Sequence, residues 1–212
     1  MQSRLLKRAL IIFVAGFILL LIGLAAAWYL REPAPPPQSR IDGGSTGEAR
    51  IGGPFELTDQ NGELRRARHF SGQYMLIYFG FTFCPDVCPT ALTNMTQALD
   101  LLEEGAPAKA NQVVPIFITV DPERDTVEEM ASYAEHFHPD LVALTGTKDQ
   151  IAAAAKQYRV YYEKVEDASA SNYLMDHSSY IYLMGPEGEY LTHYTHQTPA
   201  DELAEGLERY IK

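Results

Sequence analysis

Residues 74–90 read YMLIYFGFTFCPDVCPT, and the change of character within this stretch sets the architecture. Residues 74–81 are apolar and aromatic with no polar face, the pattern of a strand covered on both sides. Two cysteines follow, Cys84 and Cys88. Beyond Pro89, the residues Leu92, Met95, Leu99 and Leu102 recur at helical spacing until Gly105 supplies a stop. A buried strand thus hands over to a helix through a cysteine-bearing loop.

The flanking segments extend the same alternation. Upstream, FELTDQNGELRRA (55–67) places two short alternating runs around Asn61-Gly62, a dipeptide suited to a tight hairpin. Downstream, VVPIFITV (113–120) is a second buried strand, in which Pro115 lacks a ladder donor and implies an irregular or edge-facing start. Residues 126–137 read as a helix capped by Asp125 or Thr126, with Glu128 and Glu129 at the positive end of its dipole. A short strand at 141–144 and a helix at 147–158 follow, then a polar Ser- and Ala-rich stretch around 166–172. Strands at 180–184 and 190–194 are joined by Gly185-Pro186-Glu187-Gly188, and an amphipathic helix at 198–210 ends the chain. This order predicts an α/β fold with a partly parallel central sheet flanked by helices. No internal repeat is visible.

Residues 9–30, ALIIFVAGFILLLIGLAAAWYL, carry no charge over 22 positions. As a helix such a run spans ~33 Å, a bilayer's hydrocarbon core. Arg4, Lys7 and Arg8 before it predict a cytoplasmic N-terminus (1–8), a retained transmembrane anchor (9–30), a Pro- and Gly-rich tether (31–54) and an exported domain (55–212). A cleavable signal peptide is the rival, favoured by Ala25-Ala26-Ala27 and opposed by the length of the apolar core. The basic flank is too short and too poor in Ser for an organelle transit peptide, so the expected location is a bacterial cytoplasmic membrane with the domain in the periplasm. Four of the 17 Lys and Arg residues (Arg4, Lys7, Arg8, Arg31) sit in or beside the anchor, which leaves the rest more acidic than the whole chain's net −11. Such a surface repels nucleic acid.

Only two cysteines exist, too few for a disulfide framework in an exported domain, so the pair is read as chemical. At a strand-to-helix corner, backbone amides and the helix dipole favour the thiolate. Two sulfurs four positions apart there can share one metal ion or one disulfide, and both uses stay open at this point.

The pair in FTFCPDVCPT (81–90), together with DPERDT (121–126) and DHSSYIYLMGPEGEY (176–190), resembles the Sco/SenC family, over about residues 51–212. The resemblance implies a thioredoxin-like fold. It also implies a copper ion held by Cys84, Cys88 and His177, with copper(I) as the main form and copper(II) as a second. The same two cysteines would form the redox-active disulfide. Asp176, read from its place beside His177 rather than from the resemblance, would orient the ring or tune its basicity. The function so implied is delivery of copper to the dinuclear CuA centre of cytochrome c oxidase subunit II, with a periplasmic copper donor or thiol reductase as further partners.

Two soft thiolates plus one imidazole suit copper(I), whereas structural zinc nearly always takes four protein ligands. The other histidines, His69, His136, His138, His193 and His196, are read as capping or surface groups, and Asp121 and Asp125 as turn and cap. Three competing functions use the same residues. A thiol-disulfide oxidoreductase is opposed by CxxxC in place of CxxC and by the missing proline at Met175-Asp176-His177. A peroxide reductase is opposed by Thr82 standing two before Cys84, and a sensor would use the site without delivery.

Overall fold

In the computed structural model, which describes residues 50–165 and 173–212, the apolar run becomes β3 (Tyr74–Gly80), buried at each of its seven residues. The expected anchor and most of the tether lie outside the described residues, as does the stretch 166–172. Among the described residues no helix is long and apolar enough to cross a membrane.

β3 is central because it is covered on both edges as well as both faces. It pairs in parallel with β4 (Val113–Thr119) and antiparallel with β8 (Tyr180–Met184). β4 pairs in parallel with β5 (Val142–Thr145), and β5 pairs antiparallel with β1 (Glu56–Asp59). β1 forms the expected hairpin with β2 (Leu64–Arg66), and β9 (Tyr190–Thr195) closes the far edge against β8. The order is β2-β1-β5-β4-β3-β8-β9, a mixed sheet.

β4 lies inside the sheet, but its start is open on one side at Pro115, the edge-facing start that the proline implies. Pro115 sits opposite Leu76 of β3, while pairing with β5 begins only at Ile116, so the missing N–H costs no bond on that side.

The cysteine loop feeds α1 (Val87–Gly105), whose buried residues Cys88, Ala91, Leu92, Met95, Ala98, Leu99 and Leu102 form one stripe. That stripe is longer by a turn than expected, since the helix starts before Pro89. α1 packs against α5 (Ala200–Tyr210), which contributes Leu203, Ala204 and Leu207. A short α2 (Pro107–Ala110) leads into β4, α3 (Val127–Ala134) packs on β5, and α4 (Lys148–Gln157) on β1. The caps fall on Thr126 and Thr147, whose hydroxyls accept from the amides of Glu129 and Gln150.

One pair of strands was not expected. β6 (Tyr162–Val165) and β7 (Leu174–His177) form an antiparallel ribbon that is not hydrogen-bonded into the main sheet. The segments alternate, but EDASASNY between them offers neither Gly nor Pro as a turn signal.

Alternation along β3 divides its aromatics between the two faces. Phe79 meets Tyr158, with ring centroids 5.4 Å apart, on one side. Tyr78 meets Phe117 and Cys88 on the other. Gly80 shares the Tyr78 face, and a Cβ there would lie 2.7 Å from Cys88 Sγ and 3.0 Å from a Phe117 ring carbon. Gly80→Ala should therefore destabilise the domain by about 1–3 kcal/mol, the ordinary cost of overpacking a filled core. Thermal unfolding reads this as a Tm lower by roughly 2–12 °C; an unchanged Tm would show that Cys88 can move aside.

Candidate metal centre

The end of β3 and the first turn of α1 place the two sulfurs. Phe81 to Cys84 make a turn closed by the Cys84 N–H on the Phe81 carbonyl, 3.3 Å. Cys88 is the second residue of α1, so its N–H has no partner within the helix. It donates instead to Cys84 Sγ at 3.4 Å, and the sulfur takes the place of a capping oxygen. Cys88 is fully buried, Cys84 is half-buried, and both are free thiols.

The loop before Cys84 is held by a residue that sequence reading assigned to a cap. Asp125 is fully buried and accepts from the Thr82 N–H at 3.1 Å, the Thr82 hydroxyl at 2.6 Å and the Thr119 hydroxyl at 2.5 Å. Its own carbonyl accepts from Thr145 Oγ1 at 2.6 Å. The carboxyl thus joins the end of β4 to the cysteine loop and the main-chain carbonyl adds the end of β5, a role that no local pattern reveals. Burial raises its pKa despite these donors.

His177 arrives from the ribbon. As the last residue of β7 it faces inward with Met175, and its ring meets Phe81 edge-on at 5.8 Å and Tyr78 at 6.1 Å. Its Nδ1 lies 3.1 Å from the Ser178 carbonyl. A carbonyl can only accept, so that nitrogen carries a hydrogen, and Nε2 is the ring atom turned to the sulfurs. Nε2 is 3.5 Å from Cys88 Sγ. Asp176 does not take the orienting role expected of it: it is exposed on the opposite face of β7, and Ser178 makes the contact to the ring.

The three ligand atoms lie within 4.8 Å of one another, and among the described residues this is the one such cluster of Cys, His and carboxylates. A metal bonded at about 2.0–2.3 Å separates its donors by roughly 3.5–4 Å, so the cluster fits an ion after small adjustments. Three of the remaining histidines are engaged locally. His193 Nδ1 is 2.5 Å from the Tyr190 hydroxyl, His138 Nδ1 accepts from the Asp140 amide, and His136 Nδ1 lies 2.9 Å from the Ser132 carbonyl.

The pair shares one negative charge. The Cys88 side chain, His177 and the N–H groups of Asp86 and Cys88 favour the Cys84 thiolate against the opposing effect of burial, and hold it down to about 4. Burial and the adjacent Cys84 charge push Cys88 up.

A mixed α/β sheet with a cysteine pair at its central strand-helix corner, faced by one histidine, defines a thioredoxin-like domain with a Cys2His cluster. The chain belongs to the SCO1/SenC family, whose model matches residues 43–212. It is 38% identical over 211 residues to the SCO2-like protein of Rickettsia felis, covering 98% of each chain. It is 42% identical over 171 residues to the mitochondrial SCO1 homolog 1 of Arabidopsis thaliana, covering 81% of this chain and 50% of that relative, so it spans half of that protein's length. Among solved structures, Arabidopsis thaliana ScoI with copper bound matches with a TM-score of 0.69 and 42% identity over 75% of this chain and 96% of that one. Bradyrhizobium japonicum ScoI with copper bound matches with a TM-score of 0.68 and 42% identity over 76% and 99%.

An ordinary thiol titrates near 8.5, so its alkylation slows about tenfold per pH unit below that. Cys84 of the reduced, metal-free domain should keep its iodoacetamide rate within about twofold between pH 8 and 6 by this argument, with Cys88 unreactive, as followed by mass spectrometry. A steep decline at Cys84 would remove the thiolate assignment.

Proposed function

We propose that this chain is a copper metallochaperone. It holds one copper ion through Cys84, Cys88 and His177 and passes it to the CuA centre of cytochrome c oxidase subunit II. Residues 9–30 anchor it in the bacterial cytoplasmic membrane, with the domain in the periplasm. The observation that carries the proposal is the convergence of two sulfurs and Nε2 within 4.8 Å at a largely buried corner. The copper named in the two ScoI structures supports the choice of metal, and the family resemblance supports the recipient.

Charge gives an independent reason for a monovalent ion. Without metal the pair carries one negative charge, on Cys84, and Cys88 keeps its proton. When copper(I) displaces that proton, the corner still carries one negative charge, so no new charge is buried. Three ligands also leave copper(I) open to an incoming ligand, the requirement for transfer by exchange.

Anaerobic copper(I) titration of the reduced domain should reach one ion per chain and release about one proton near neutral pH, since metal ligands must be deprotonated. Cys84→Ser, Cys88→Ser and His177→Ala should each abolish or weaken binding. Unchanged binding in all three would reject the site.

A second reading keeps one observation of its own: a half-buried thiolate beside a thiol is also the arrangement of a disulfide reductase. Cys84 would attack a partner disulfide, releasing one partner thiolate. Cys88 would then lose its proton and displace the second, leaving a Cys84–Cys88 disulfide and a dithiol partner. Cys88→Ser should trap the mixed disulfide if this occurs; absence of trapping with an oxidised CuA-type dithiol peptide would leave metal delivery alone.

A further inference from the structure

The ribbon that brings His177 is a two-stranded unit outside the main sheet, and such a pair is marginal unless something fixes it. Arg124, in the turn after β4, makes the most extensive polar and aromatic tie. Its Nη1 donates to the Tyr173 carbonyl at 2.9 Å, and its Cζ lies 3.8 Å from the Tyr173 ring centroid. Its Nε is paired with the buried Asp121, which also accepts from the Tyr173 hydroxyl at 2.9 Å. On the cysteine side, the same guanidinium lies 4.8 Å from the Phe83 ring centroid and 5.8 Å from that of Phe81. Lys164 of β6 adds its ammonium 3.8 Å from the Tyr173 ring.

The placement is specific. Tyr173 immediately precedes β7, which ends on His177, and Phe83 immediately precedes Cys84. A single side chain therefore touches the neighbours of both halves of the metal centre. We infer that Arg124 is a positioning residue: clasped between Tyr173 and Phe83 and braced by Asp121, it sets the ribbon so that His177 Nε2 meets the two sulfurs. Its planar fork donates and stacks at once, which a lysine ammonium cannot do. Cys84 and Cys88 are placed by β3 and α1, so loss of the clasp frees the imidazole and leaves the sulfurs where they are.

This inference rests on the copper reading of the centre, and the test separates the two. In the reduced, metal-free domain, Arg124→Ala should speed amide hydrogen exchange at Leu174–His177 while β3 keeps its protection. Copper(I) affinity should fall by roughly 10- to 100-fold at unchanged stoichiometry, the usual effect of removing a group that orients a ligand. The same substitution made in His177→Ala should cost nothing further, because there is no imidazole left to position. Arg124→Lys should loosen the ribbon more mildly, and it stands in if the alanine variant does not fold. Unaltered exchange in the ribbon would overturn the clasp whether or not copper binds. Faster exchange with wild-type affinity, or an equal loss in the His177→Ala background, would overturn the positioning of His177. A wild-type domain that takes no copper would instead sink the functional proposal, with the exchange result still judging the clasp.

Discussion

The packing of the first turn of α1 onto the end of β3 is the constraint on which the centre depends. Cys88 Sγ occupies space that a side chain at position 80 would need, and glycine leaves it free. The sulfur is then enclosed by Tyr78 and the helix, where an uncompensated charge is costly. Its neighbour lies in the loop, half-buried and supplied with amide donors, so the charge settles on Cys84. Electrostatic asymmetry within the pair thus follows from one close contact between a strand and a helix.

The two halves of the site are built to different standards of rigidity. The sulfurs belong to the deepest part of the molecule, and Asp125 locks their loop to the ends of β4 and β5. The imidazole belongs to a ribbon that pairs only with itself. Elements with few shared hydrogen bonds open more readily than core strands. A ligand on such an element can yield without disturbing the fold, which suits the delivery proposed for the site.

Much of this was legible in the chain. β3, the cysteine loop and α1 follow from a switch of apolar periodicity, and the β8–β9 pair from strand runs around Gly185-Pro186-Glu187-Gly188. What escaped is what depends on distant partners. Asp125 looks like a cap because Thr82, the residue it holds, is far away in sequence. Pro115 signals a start open on one side, but that this side faces β5 has no local trace. The ribbon lacked a turn dipeptide, and His177 by itself is indistinguishable from five other histidines. Only the resemblance of DHSSYIYLMGPEGEY singled it out. Asp176 was placed beside the ring by adjacency in sequence, but strand alternation sends adjacent residues to opposite faces.

The order in which the ligands yield follows from their settings. Cys88 is enclosed, and removing it from a metal would restore either a buried charge or a proton that must reach it from outside. Cys84 is reachable and already stable as a free thiolate, so it loses less than Cys88 when its metal bond breaks. His177 comes from the ribbon outside the main sheet, with its Nδ1 on the Ser178 carbonyl. On the delivery proposed above, an incoming thiolate meets the least resistance at the outlying His177 and the half-buried Cys84, with the enclosed Cys88 as the last tether. That order follows from burial and from the separation of the ribbon from the main sheet.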